Sequence, residues 1–194
     1  MSKLKWAELD NESLLKIRIK DLGLSIQETP LESYVQIVHQ ELDSKELIFK
    51  PPYYLADEWL CPDEEPIIGI PFYLAHPRLK KLEMEMILEV EGETKEEFLQ
   101  LMRHETGHVY NYAYKLHKKR EWKTLFGDFT KDYPDTYVPR PYSRRFVRHL
   151  DNCYAQYHPD EDFAETFAVW LTPDSNWKEV YKGWKKALSK LEYV

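Results

Sequence analysis

The sequence predicts an α+β fold, mostly helical with one small sheet, in a single domain. Three observations predict it. Most of the chain has helical periodicity, one short run rich in β-branched residues (EPIIGIPFYLA, residues 65–75) has the character of a strand, and 194 residues bury one sizeable core but make a short pair of domains. No Gly/Ser-rich tract, internal repeat or low-complexity run marks a boundary, so residues 1–194 are expected to fold as one domain.

The elements follow in order. Residues 11–22 (NESLLKIRIKDL) are amphipathic, with Asn11 at a cap position and Gly23 just after, and predict a helix. LESYVQIVHQEL (31–42) predicts a second, and ELIFKP (46–51) is a short strand candidate. Gly69 and Pro71 interrupt the 65–75 run. Proline cannot donate to a ladder, so this strand is expected at an edge or kinked, where an extended peptide could add on. From Thr94 to about Lys115 the pattern is helical: Phe98, Met102, Val109, Ala113 and Leu116 fall within about 60° on a helical wheel and predict the core-facing stripe. Helices are further expected over 143–156, from Asp160 after Pro159, and from about Asn176 to Leu191.

Composition narrows the function classes. A net charge of -7 argues against nucleic acid as a partner, because such proteins neutralise phosphates with a basic surface. Arg140, Arg144, Arg145 and Arg148 form a local exception that reads either as a solvated face or as a grip for a substrate carboxylate or phosphate. The first residues lack an apolar targeting core and no stretch is long enough to cross a bilayer, so a soluble cytoplasmic protein with no membrane partner is expected. Cys61 and Cys153 are too few for a disulfide framework and do not form C-x-x-C, and read as thiols in a reducing compartment.

The chemistry concentrates in HETGH, residues 104–108. Two histidines at i and i+4 leave a helix about 40° apart and can supply two of the three protein ligands of a catalytic zinc. Glu105 between them can act as general base on a water, and Gly107 leaves room for another element to approach. A continuation with a third histidine is excluded, because it needs glycine at 111 and histidine at 114 and the chain has Asn111 and Tyr114. The other source is a glutamate on a later helix. HPDEDFAETF (158–167) carries Glu161 and Glu165 one turn apart, with Ala164 and Ala168 small enough for close packing. Asp160, Glu161 and Asp162 also suit the first turn of a helix, where the dipole favours negative charge, but that does not account for Glu165.

HETGH followed by DEDFAE resembles the gluzincin metallopeptidases, in which H-E-x-x-H and a later Glu bind zinc. IGIPFYLAHPRL, RHETGHVYNYAY, FGDF and YAQYHPDEDFAETFAVWL together resemble a bacterial family of zinc-binding, zinc-dependent metallopeptidases. The zinc ribbon of some members is not expected, since the first 60 residues contain no cysteine. The resemblance implies a zincin-like fold whose edge strand borders the active-site cleft. It also implies one Zn2+ per chain held by His104, His108 and Glu161, with Glu105 as the base. Glu165 falls where such enzymes place a carboxylate that orients a ligand histidine, and Asp160 is a candidate for the same role toward the other. Tyr154 falls at the position of an oxyanion-stabilising tyrosine, with Tyr157 and His158 as neighbouring rivals.

The expected activity is therefore hydrolysis of a peptide or protein substrate by a zinc-bound water that Glu105 activates, with the strand near 67–74 holding the substrate backbone. Two alternatives stand beside it. A catalytically silent zinc-bound module that recognises a peptide or protein needs no base at Glu105. A metal-free, structural HETGH leaves the full third-ligand helix unexplained.

Overall fold

The longest amphipathic segment forms the spine of the structure. In the computed structural model, which describes residues 5–62 and 64–194, this segment lies among seven further α-helices and two strands; residues 1–4 of the expected domain and Asp63 lie outside the described residues. The α-helices are α1 (Asn11–Leu14), α2 (Pro30–Ser44), α3 (Pro77–Ile87), α4 (Lys95–Ala113), α5 (Arg120–Leu125), α6 (Pro159–Leu171), α7 (Trp177–Val180) and α8 (Lys185–Tyr193). The strands are β1 (Tyr53–Ala56) and β2 (Ile68–Pro71). Just over half of the residues are helical, so the fold is a mostly helical α+β arrangement with a small sheet.

Local chemistry starts the two helices that matter most. Thr94 caps α4 through a reciprocal pair: its hydroxyl accepts from the Glu97 N–H at 3.2 Å and the Glu97 carboxylate accepts from the Thr94 N–H at 3.1 Å. In α6, Pro159 takes the first position and His158 Nδ1 accepts from the Asp160 N–H at 3.2 Å. The core gathers Val35, Val38 and Leu42 of α2, Ile68 and Ile70 of β2, Phe98, Met102 and Val109 of α4, and Phe163, Phe167 and Leu171 of α6. Each such side chain contributes about 1.5–3 kcal/mol when removed from water. Arg103 of α4 grips the buried Glu41 of α2 through both carboxylate oxygens, at 2.7 and 2.8 Å.

Helices α4 and α6 touch at Gly107. A Cβ there would lie 2.7 Å from the Ala164 Cα and 3.2 Å from the Phe167 Cβ, so only glycine permits this approach. The consequence is that the second half of α4 is enclosed up to Tyr112. Every residue from His104 to Tyr112 is buried, so the histidine face is covered by α6 and is not merely the flank of an exposed helix. Ala113, expected in the core stripe, is exposed at the helix end.

Other elements differ from the sequence expectation, each for a physical reason. The 11–22 helix is cut to α1 and a 3-10 turn over Ile19–Asp21, and the capping residue is Asp10, which accepts from the Ser13 N–H at 2.8 Å. Residues 46–51 form no strand. The strand starts after Pro51 and Pro52, which have no N–H to give, and the Pro52 carbonyl accepts from the Ile68 N–H at 3.0 Å.

β1 and β2 pair in parallel, Tyr53 opposite Ile68 and Ala56 opposite Pro71, and the chain turns into a 3-10 helix at Phe72. On the other side of β2, Gly69 pairs with Leu60, its N–H donating at 2.8 Å. All four residues of β2 are buried. The stretch expected to hold a substrate backbone therefore has both sides taken at its centre.

The expected 143–156 helix is also absent. Only a distorted 3-10 turn over Asp151–Gln156 is present, with Asn152 and Cys153 at positive φ. The amides of His149 and Leu150 donate instead to Glu165, as described below. The last expected helix is split into α7 and α8 around Gly183, at φ 85°, which lets Tyr181, Ala187 and Leu191 cluster with Val147 and Val169. No helix among the described residues is long and apolar enough to cross a membrane.

Candidate metal centre

The contact at Gly107 brings the first turn of α6 against the histidines of α4. His104 and His108 present their Nε2 atoms to one another at 3.1 Å. Glu161 Oε2 lies 3.0 Å from the first and 3.3 Å from the second. Tetrahedral ligands at zinc distances of about 2.0–2.1 Å stand roughly 3.3 Å apart, close to these separations. The three residues are buried and could hold one metal ion.

The remaining ring nitrogens are anchored. His104 Nδ1 lies 3.1 Å from Glu165 Oε1, and His108 Nδ1 lies 2.9 Å from Asp160 Oδ2. An ionised carboxylate only accepts, so each Nδ1 carries the hydrogen and each Nε2 is free to ligate. Glu165 is fully buried and is held in turn by the amides of His149, at 3.1 Å, and Leu150, at 3.0 Å. Asp160 accepts from Asn111 Nδ2 and from the Tyr112 hydroxyl, both at 2.6 Å. The second oxygen of Glu161 accepts from the Tyr133 hydroxyl at 2.8 Å.

These arrangements move the titrations. Burial alone would lower His104, but its bonds to Glu161 and Glu165 win and raise it to about 9. Burial likewise opposes charge on His108, and the charges of Asp160 and Glu161 push it well above the ordinary imidazole value. Burial opposes charge on Glu161 as well, yet His108 and His104 hold it well below the usual carboxylate range. Four buried carboxylates, Glu105, Asp160, Glu161 and Glu165, surround two imidazoles. That excess of negative charge is suited to a divalent cation, and the His/His/carboxylate donor set is one that zinc accepts.

Glu105 is the exception among them. It is 7% exposed, its Oε2 has no partner among the described residues, and burial raises its pKa against the pull of His108 and His104. It lines a cleft of about 720 Å³ together with His104 and Tyr154. Tyr154 is half-buried, its ring 5.7 Å from that of His104, and its hydroxyl makes no hydrogen bond among the described residues. Burial raises its pKa and keeps the hydroxyl a donor.

Its rivals are placed differently. His158 is fully engaged, with Nδ1 capping α6 and Nε2 donating to the Lys131 carbonyl at 2.9 Å. Tyr157 lines a separate pocket with Pro134 and Phe146. The arginine cluster does not line the cleft; Arg148 lies over the Trp184 ring at 5.2 Å. Sequence reasoning missed Tyr133, Asn111 and Tyr112 as partners of the site. Asn111 and Tyr112 follow His108 by three and four residues, so helical spacing was an available signal for them. Tyr133 sits in an irregular stretch that carries no motif.

A buried pair of helix-borne histidines with a glutamate from a second helix defines a metal-binding, HExxH-type protein. Over residues 79–178, just over half of its length, the chain matches the family described as "Putative zinc-binding metallo-peptidase" and belongs to it. No curated protein and no solved structure gives a significant match.

Proposed function

We propose that the whole chain works as one domain, a zinc-dependent peptidase in which His104, His108 and Glu161 hold the ion and Glu105 is the general base. The observation that carries the reading is Glu105, a buried carboxylate with an unpartnered oxygen, raised pKa and access to the cleft. When bound, zinc supplies a Lewis acid that polarises a carbonyl and makes water a better nucleophile. Glu105 accepts the proton of the attacking water as the new C–O bond forms. It then returns that proton to the amine nitrogen as the C–N bond breaks. Tyr154 donates its free hydroxyl to the oxyanion that develops on the carbonyl. Glu165 and Asp160 hold the two imidazoles in the tautomer that leaves Nε2 for the metal.

The unpaired Cys61 and Cys153 and the absence of an apolar spanning helix among the described residues support a cytoplasmic location. A zinc-bound recognition module would leave the buried, unpaired Glu105 without a purpose. Glu105→Gln separates the two readings, because the amide keeps the shape but cannot take the proton. Zinc content and melting temperature should stay close to wild type, while cleavage of a peptide library should vanish. Undiminished cleavage by the purified variant would overturn the role of Glu105. Capture of the same peptides by both proteins with cleavage by neither would favour the module.

A further inference from the structure

We propose that the cleft beside His104 accepts a basic segment of the substrate, placing lysine or arginine side chains next to the scissile bond. This rests on the peptidase reading above and names its substrate class. The residues from 83 to 97 include seven glutamates against one lysine. The fold turns part of this run into a wall of the site. Glu89, Glu91, Glu93 and Glu97 line the cleft from one side, Asp151 and Glu105 from others, and no lysine or arginine among the described residues lines it.

None of these six carboxylates is in an ion pair among the described residues; Lys81 pairs with Glu85 and Arg103 with Glu41 instead. Glu91, exposed but partly desolvated by the surrounding protein, also feels repulsion from Glu89 and Glu58, and both raise its pKa. A cation in the cleft relieves that repulsion. Glu105, 7% exposed and with its Oε2 unpartnered among the described residues, lines the same space and marks it as the place where a reacting group must sit.

The wall is also built to last and shaped for the stems of long cationic side chains. Gly92, at φ 80°, packs on the Trp59 indole, the Trp59 Nε1–H donates to the Glu91 carbonyl at 3.4 Å, and the Thr94–Glu97 pair caps α4 just behind. Exposed Met84 and Leu88 at the rim offer apolar surface to the methylenes of lysine and arginine, and Trp59 offers a ring face to a guanidinium. Along this wall an acidic peptide meets like charge.

Binding and cleavage test this separately. Zinc-loaded Glu105→Gln protein is titrated with two fluorescein-labelled dodecapeptide pools, identical except that half the positions carry Lys/Arg in one and Asp/Glu in the other. The basic pool should bind about 10-fold tighter or more, the scale set by a few partly exposed charge pairs, and the preference should shrink with added salt. Adding Glu89→Gln, Glu91→Gln and Glu93→Gln should remove most of the preference with zinc content unchanged; if the triple change unfolds the protein, Glu91→Gln alone should reduce it. Equal binding of both pools, or a preference that survives these changes, overturns the inference. Equal kcat/KM of the wild type on both pools overturns it while the peptidase reading stands. Preferential binding of the basic pool with no cleavage by wild type overturns the peptidase reading and leaves a basic-peptide site.

Discussion

Glu161 makes a different contact with each of its oxygens. Oε2 faces both Nε2 atoms of the histidine pair, while Oε1 accepts the Tyr133 hydroxyl. Tyr133 stacks on His158, the residue that caps α6, at a ring separation of 3.9 Å. The hydroxyl therefore occupies the oxygen that faces away from the histidines, and if Glu161 holds a zinc ion it would hold it through Oε2. Tyr133→Phe should keep the fold and lower zinc affinity by about 10 to 100-fold, as loss of such supporting hydrogen bonds does, whereas Glu161→Ala should come out of purification without zinc. Competition against a chromophoric chelator reads both, and wild-type affinity in Tyr133→Phe would remove it from the site. His104, Glu105 and His108 were legible because one helical turn groups them within five residues. Tyr133 was not, because only the folded path of an irregular stretch brings it to a residue 28 positions later.

At the scale of elements, the α4–α6 contact positions the candidate metal ligands. Its closest point is Gly107 against the Ala164 backbone, and two of the three candidate ligands lie on one helix and one on the other. Gly107→Ala would force the helices apart by tenths of an ångström. Overpacking of this kind costs about 1–3 kcal/mol, so the melting temperature should fall by several degrees, and zinc affinity should fall with it because Glu161 moves away from the histidines. Calorimetry and zinc titration of the variant check this. A full-affinity, full-stability variant would show that the helices can separate without cost.

The expected 143–156 helix belongs to the same scale. A regular helix would commit the amides of His149 and Leu150 to its own ladder, but the fully buried Glu165 carboxylate has taken them. Satisfying a buried anion outweighs one or two turns of helix.

For the whole molecule, zinc would clamp α4 to α6 across more than 50 residues of chain. A ligand that binds only the folded state stabilises it by about 4 kcal/mol at a thousandfold excess over its Kd. Treatment with a strong chelator should therefore lower the melting temperature by a margin that returned zinc restores and magnesium does not, as thermal denaturation under the three conditions would show. An unchanged melting temperature would mean that the site is not loaded.

Short windows of sequence determined what depends on neighbours along the chain: the α4 helix with its Thr94 cap, the start of α6 at Pro159, the i and i+4 histidines, and the small residues that allow close packing. Tertiary structure alone decided which carboxylate faces both histidines, since that depends on how α6 is rotated and seated over Gly107. It also moved the first strand beyond Pro52, closed β2 against Leu60, and aimed a run of glutamates into the cleft. The physical reason is one of range. Periodicity and capping are energies between residues a few positions apart, whereas buried charges and strand edges are satisfied by whichever distant groups the packed core brings within reach.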